Sequence, residues 1–366
     1  MLASPRTFGE YWKFLVRHME SAPVCAHMRI TIAAIPAVLC LAACSIVSRP
    51  VSSSVEARLL RTRMSEADFG AVRSGAGETL HFKLFHGELD SRPVRVPMSK
   101  RFRGLPGLEV RLNDRHTVNM LADTGAQLSI LDARTVLAAR GRVFISPGTD
   151  FTVTGIGGSE KAWIARFDHA DIGSLRLHAF TTLVRRQKTV SQFAGMGIGG
   201  VPINLLGCPV FLGFAFVTFD YPAGEFVFSA GTAFKPSLGA RAVPFRVEDQ
   251  LVYVPLRIGR RVIEAVVDTG AKDEIFLSTT TVRSLGIQAR AANGGYYRAA
   301  GLGGETSGRQ FSLPLAFLDG IPLRDVTVDT ADSDAWAARI GSDLLERWRV
   351  TFDFRRSVLW FEAPQH

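Results

Sequence analysis

One tetrapeptide occurs twice in this chain, as Asp123-Thr124-Gly125-Ala126 and as Asp268-Thr269-Gly270-Ala271. Each copy closes an apolar, strand-like run, residues 118–122 before the first and 262–267 before the second. A given four-letter string turns up by average composition in about one chain of this length in a hundred, so one copy would decide little. The surroundings repeat as well. Leu112-Asn113-Asp114-Arg115 answers to Arg257-Ile258-Gly259-Arg260, and Thr154-Gly155-Ile156-Gly157-Gly158 to Ala300-Gly301-Leu302-Gly303-Gly304. Leu205-Leu206-Gly207 answers to Arg339-Ile340-Gly341, and each is followed by Val-Thr-Phe-Asp, at 217–220 and 350–353. Markers in the same order in both halves describe an internal duplication, so the chain must fold as two copies of one unit.

A buried strand that ends in a carboxylate needs a compensating reason, because uncompensated buried charge is costly. Two carboxylates held together supply one. They cannot both ionise, so they share a proton, and one can act as base while the other acts as acid. Gly125 and Gly270 let the backbone turn tightly and bring amide N–H groups towards the carboxylates. At 155–158 and 301–304 an apolar residue sits among glycines, which reads as a hairpin tip able to move and to offer backbone donors to an extended peptide.

With these motifs set out, each half resembles a subunit of the retropepsin-type aspartic proteases: Asp-Thr-Gly-Ala, a Gly-rich flap about thirty residues on, then an apolar-apolar-Gly segment. Those enzymes are the standard instance of proton sharing by paired carboxylates. The resemblance covers about residues 108–361. It implies an all-β fold of two tandem retropepsin-like β-barrel lobes related by a pseudo-twofold axis, and aspartic endopeptidase activity on extended polypeptides. It implies that Asp123 and Asp268 form the dyad and hold a water, and that Thr124 and Thr269 bond across to the opposite loop. Gly125, Ala126, Gly270 and Ala271 would complete the catalytic loops. Gly155, Ile156, Gly157 and Gly158, with Gly301, Leu302, Gly303 and Gly304, would form two substrate-covering flaps. No cofactor and no metal are implied, and no Cys/His spacing suits a metal. There are departures from the pattern. Lys272-Asp273-Glu274 stands where the first half has Gln127-Leu128-Ser129, and Arg339 replaces an apolar residue of the closing segment. The cleft is therefore expected to be asymmetric.

The other signal lies near the N-terminus. Residues 30–43 are almost wholly apolar, preceded by Met28-Arg29 and closed by Leu41-Ala42-Ala43-Cys44. A basic start, an apolar stretch and small residues at the cut describe a secretory signal. The ending resembles the lipobox of bacterial lipoproteins, which implies lipidation of Cys44, with Met28 as the true start. An uncleaved anchor is the other reading, although the run is at the short limit for spanning a bilayer. With Cys25 and Cys40 before the cut and Cys44 lipidated, Cys208 remains alone, so the mature chain has no disulfide framework.

The net charge is +9, and removal of residues 1–43 takes away four basic and two acidic groups, leaving +7. Only seven of the 43 basic residues are lysine, and the arginines form no stripe interleaved with aromatics, so nucleic-acid binding has no support. Gly195-Met196-Gly197-Ile198-Gly199-Gly200 matches a dinucleotide fingerprint by letters, but lacks the strand, helix and downstream acid of a βαβ unit, and reads instead as a flexible loop before the closing segment.

The expected organisation is an N-terminal extension and signal over 1–44, a flexible tether over 45–77 spanning roughly 30 Å, a first lobe over 78–229, a linker over 230–243 and a second lobe over 244–366. Leu80 to Phe85 alternates like a strand and is expected to join a sheet beneath the lobes, with 358–361 as a closing strand. The expected protein is a monomer with an intramolecular dyad, acting on polypeptide and lipid-anchored in a bacterial envelope facing the periplasm. A peptide-binding envelope lipoprotein that keeps the fold without turnover is the rival reading.

Overall fold

The computed structural model describes residues 15–18, 44–65, 69, 72–74, 79–81, 84–85, 92–102, 104–144, 151–155, 158–193, 196–201, 204–301, 304–332 and 336–364. Each lobe is built round a hairpin whose second strand delivers an Asp-Thr-Gly-Ala loop. In the first lobe Leu105–Leu112 pairs antiparallel with His116–Asp123. The turn between them uses Asn113 and Asp114 at φ 52° and 53°, the left-handed region that these two side chains tolerate and tight hairpins need. In the second lobe Leu251–Ile258 pairs with Arg261–Asp268, and Gly259 at φ 59° opens the turn.

The Asp-bearing strand of each lobe then takes a parallel neighbour from far along the chain. His116–Asp123 pairs with Leu205–Gly207, which sets Asp123 opposite Gly207. Arg261–Asp268 pairs with Ala338–Gly341, which sets Asp268 opposite Gly341. A short strand after each loop, Ile130–Leu131 or Ile275–Ser278, pairs antiparallel with that same neighbour. A helix follows in both lobes. Asp132 caps Ala133–Ala138 by accepting from the N–H groups of Arg134 and Thr135, and Ser278 caps Thr279–Ser284 by accepting from Thr281 N.

The repeat meets itself beneath the lobes. A six-stranded sheet runs Arg241–Pro244, Val358–Glu362, Arg349–Asp353, Phe216–Asp220, Glu225–Ser229, Val94–Pro97. Its central pair consists of the two Val-Thr-Phe-Asp copies, antiparallel, with Thr218 opposite Thr351 and their hydroxyls 2.8 Å apart. That contact lies on the pseudo-twofold axis. Phe219 beside it is fully buried, with its ring 5.1 Å from Phe226 and 5.4 Å from Phe352. Burial of one such side chain is worth about 1.5–3 kcal/mol. The fold is all-β and two-lobed.

Three expectations need correction. Residues 44–64 are not a loose tether. Cys44–Pro50 pairs with Gln187–Phe193, Ser53–Leu60 is a helix with Leu59 buried in the main core, and Arg63–Met64 pairs with Arg142–Phe144. Only Val55, Leu59 and Leu60 mark the apolar side of that helix, too few for a period to show. Beyond it, Phe69 stacks on Phe144 with ring centroids 4.7 Å apart. The described residues of the segment at 80–85 do not join the interlobe sheet: Thr79–His81 pairs with Val72–Ser74, and Val94–Pro97 supplies the edge strand next to Glu225–Ser229. Of the glycine-rich run at 195–200, residues 196–200 lie in the strand Met196–Val201, which pairs with Gln187–Phe193, and not in a flexible loop.

Upstream, Leu15–His18 pairs antiparallel with residues 298–301 of the strand Gly295–Gly301. The expected signal segment at 28–43 lies outside the described residues. Among those described, no helix is long and apolar enough to cross a membrane.

Candidate active site

The two Asp-Thr-Gly-Ala loops meet, and the threonines hold them. Thr124 Oγ1 donates to Val267 O at 2.7 Å and accepts from Thr269 N at 3.0 Å. Thr269 Oγ1 donates to Ala122 O at 2.7 Å and accepts from Thr124 N at 3.0 Å. Four buried bonds thus cross between the loops with the same distances in both directions. Each glycine N–H returns to the carboxylate two residues earlier, Gly125 N to Asp123 Oδ1 and Gly270 N to Asp268 Oδ1, both at 2.9 Å.

The glycines are also required by space. A Cβ on Gly125 would stand 2.3 Å from Asp268 Cγ, and one on Gly270 would stand 2.4 Å from Asp123 Cγ. Each carboxylate therefore lies against the opposite lobe's loop. The floor is fastened from below. Cys208 N donates to Ala126 O and Ser342 N to Ala271 O, both at 2.8 Å, while Ser342 Oγ donates to Thr269 O at 2.6 Å. Ala126 and Ala271 are fully buried apolar residues at the position just after the glycine. Cys208 is buried, and that burial pushes its thiol up, so it is no nucleophile.

Both acids are almost wholly removed from solvent. Burial first, and then the adjacent Asp268 carboxylate, push Asp123 well above the usual carboxylate range. Burial also raises Asp268, where Arg339 opposes it. Asp123 Oδ2 is buried with no hydrogen-bond partner among the described residues, a polar atom left open at the point where the loops converge.

Of the expected flap residues, Gly155, Gly158, Gly301 and Gly304 fall on hairpins that belong to the same sheets as the Asp-bearing strands. Phe151–Gly155 pairs with Gly158–Arg166, closing at Gly155 opposite Gly158. Gly295–Gly301 pairs with Gly304–Leu318, closing at Gly301 opposite Gly304. The tips themselves, Ile156, Gly157, Leu302 and Gly303, lie outside the described residues. Cys44 begins the strand Cys44–Pro50, opposite Phe193.

One group was not anticipated in its role. Arg339, wholly buried, donates from Nη2 to Asp273 Oδ2, and its Nη1 lies 3.5 Å from Asp268 Oδ2. The sequence carried a signal for this pairing: an arginine between Ala338 and Ile340 in a strand needs a buried carboxylate, and Asp273 stands just past the second loop. Elsewhere Asp114, His169 and Asp171 gather near the surface. Arg176 already donates to both Asp171 and Asp114 there, which leaves that cluster no claim as a cation site.

A duplicated β unit with paired Asp-Thr-Gly loops at its axis defines a two-lobed aspartic-protease architecture. Residues 108–210 and 254–345 match the family model described as aspartyl protease, and the chain belongs to that family, in its retropepsin-like form. Among solved structures the chain is similar to the aspartic proteinase from Irpex lacteus, at 13% identity and a TM-score of 0.46, over 75% of this chain and 98% of that one. It is also similar to a retropepsin-like aspartic protease from Rickettsia conorii, at 20% identity and a TM-score of 0.26, over 34% of this chain and 90% of that one. No curated protein sequence matches it.

Proposed function

We propose that the protein is an aspartic endopeptidase that cleaves extended polypeptides with Asp123 and Asp268. The observation that carries this reading is the meeting of the two carboxylates across loops bound to each other by Thr124 and Thr269. With one proton shared, the ionised carboxylate takes a proton from water as its oxygen attacks the scissile carbonyl carbon, and the other protonates the carbonyl oxygen. Collapse of the resulting diol returns a proton to the amide nitrogen as the C–N bond breaks. Because both acids are buried, the hairpins ending at Gly155/Gly158 and Gly301/Gly304 must part to admit a chain. Residues along their edges then pair with it as an added strand.

The test is peptide-bond cleavage of an unfolded protein by the purified full chain, read as new N-termini by mass spectrometry. Asp123→Asn and Asp268→Asn should each abolish it while leaving the circular dichroism spectrum unchanged. Cleavage that survives in the Asp123→Asn/Asp268→Asn double variant would overturn the reading. A wild-type chain that binds peptide without cutting it would instead make this a binding protein.

The same reading places the enzyme on a bacterial envelope through a lipid on Cys44, facing the periplasm, as a monomer with its dyad inside one chain. Since Cys44 opens a strand paired to Gln187–Phe193, such an anchor would hold the first lobe close to the bilayer and not on a long leash. Cys44→Ala should then lower membrane retention. An unmodified Cys44 in the membrane fraction, found by mass spectrometry, would sink the idea.

A further inference from the structure

The threonine bonds are symmetric, but one step further out the two halves differ in charge. Arg339 sits on Ala338–Gly341, beside the strand that carries Asp268. Its guanidinium is held by Asp273 and lies 5.0 Å from the Phe276 ring centroid and 5.2 Å from that of Trp336. Its Nη1 and Nε make no hydrogen bond among the described residues, and Nη1 faces Asp268 Oδ2 at 3.5 Å. The first lobe has Leu205 and Leu128 at the corresponding positions, both buried. Among the described residues Asp123 therefore has no cation from its own lobe, and Arg339 acts on it only as the smallest of the causes that shift it.

Stability does not account for this pair. Replacing a buried ion pair with apolar residues is commonly neutral or stabilising, and the first lobe folds with two leucines in the same places. The charge has a different use, since an opposite charge within a few ångströms favours the ionised form of a carboxyl.

We propose that Arg339 is a positioning residue for the dyad. Fixed between Asp273 and Asp268 over two aromatic rings, it keeps the shared negative charge on Asp268. Asp268 is then the base that takes the proton of the attacking water, and Asp123 is the acid that protonates the scissile carbonyl oxygen. After that step Asp268 holds the proton and Asp123 the charge, and collapse of the diol reverses them. This assignment rests on the aspartic endopeptidase reading given above.

The groups facing Asp268 are Asp123 from the opposite loop, Asp273 and Arg339 from its own lobe, and the N–H of Gly270. Cys208 and Tyr221 lie within electrostatic range, but burial pushes both up, so they stay neutral. Burial raises both acids. Arg339 counters it most directly at Asp268, and Asp273 works against Arg339.

Those opposed signs make the test. The full chain, labelled with carbon-13 at the aspartate carboxyls, is titrated by NMR, with Asp123→Asn and Asp268→Asn assigning the two resonances. Asp268 should ionise at lower pH than Asp123. Arg339→Gln should move the Asp268 titration upwards, Asp273→Asn should move it downwards, and Arg339→Lys should restore most of the wild-type position. The acid limb of kcat/KM should follow in the same directions. A merely structural pair would shift both variants the same way or neither, and that result overturns the proposal, as does Asp123 ionising first. If Arg339→Gln does not fold, the downward shift in Asp273→Asn decides alone. Because the titration needs no turnover, an inactive protein with these shifts refutes the endopeptidase reading and not the charge assignment. An active enzyme without them does the reverse.

Discussion

Replacing Thr124 or Thr269 with valine tests whether the hydroxyls bind the lobes together. The two side chains have nearly the same shape, so what is lost is the oxygen. In Thr269→Val, Thr124 N loses its acceptor at 3.0 Å and Ala122 O loses its donor at 2.7 Å, both buried. An N–H left buried and unpaired costs about 1–3 kcal/mol, and the lost carbonyl bond adds about 1 kcal/mol. The expected loss is therefore about 2–4 kcal/mol, a large share of the total stability of about 5–15 kcal/mol typical of folded proteins. Thr124→Val removes the mirror pair, to Thr269 N and Val267 O, and should cost the same. Thr→Ser at either site keeps the oxygen and drops one methyl, about 1 kcal/mol. Urea unfolding of the four variants reads the difference, with equal m-values licensing the comparison. Valine and serine variants agreeing to within about 0.5 kcal/mol would show that these bonds do not hold the loops together.

The raised dyad carries a stability signature. Between the ordinary aspartate value of 3.8 and the raised native value, the folded chain holds more protons than the unfolded one, so stability falls as pH rises through that window. Asp123→Asn should therefore be more stable than wild type at neutral pH, with the gain vanishing below the ordinary carboxylate range; a loss at both pH values in urea unfolding would contradict it. In the first lobe Arg185 and Glu160 form a buried bidentate pair, Nε to Oε1 at 2.5 Å and Nη2 to Oε2 at 2.8 Å. Glu160→Ala should cost about 3–5 kcal/mol, whereas replacing both residues by methionine should be close to neutral; equal losses in the two variants would mean that the site needs the ions themselves. Since both loops belong to one chain, activity per molecule should stay constant on dilution, and an activity that falls along with a dimer seen by light scattering would place the dyad between chains.

The parts of the molecule that were legible in the sequence are those stated twice. Asp-Thr-Gly-Ala, the Gly-rich hairpins and Val-Thr-Phe-Asp all appear in both halves, and the duplication located the two loops that meet, the two Gly-rich hairpins and the central strands of the interlobe sheet. What appears once was harder to read. The helix Ser53–Leu60 is shorter than the window in which helical periodicity declares itself, and its place is set by burial of Leu59 against the first lobe. Val94–Pro97 joins the interlobe sheet and Thr79–His81 does not. Both segments alternate, so the pairing was decided by tertiary packing, which local pattern does not encode. Arg339 was visible as a departure from the repeat, but its bond to Asp273 depends on two strands lying side by side.

The duplication also explains why such a departure can exist. In a dimer of identical subunits any residue near the axis appears on both sides of it. An arginine in the place of Arg339 would then bring two buried cations and two Asp273-like carboxylates to one site, and each acid of the dyad would see the same field. In one chain the halves can diverge. The bonds of Thr124 and Thr269 remain matched in length, as the proposed sharing of a proton between the carboxylates would require of the loops that carry them. The next shell is free to differ, with Leu128 and Leu205 on one side and Asp273 and Arg339 on the other. Symmetry is thus retained where geometry is at stake and given up where charge is, and under the proposed assignment a dyad with unequal acids would begin each cycle with its proton already on one of them.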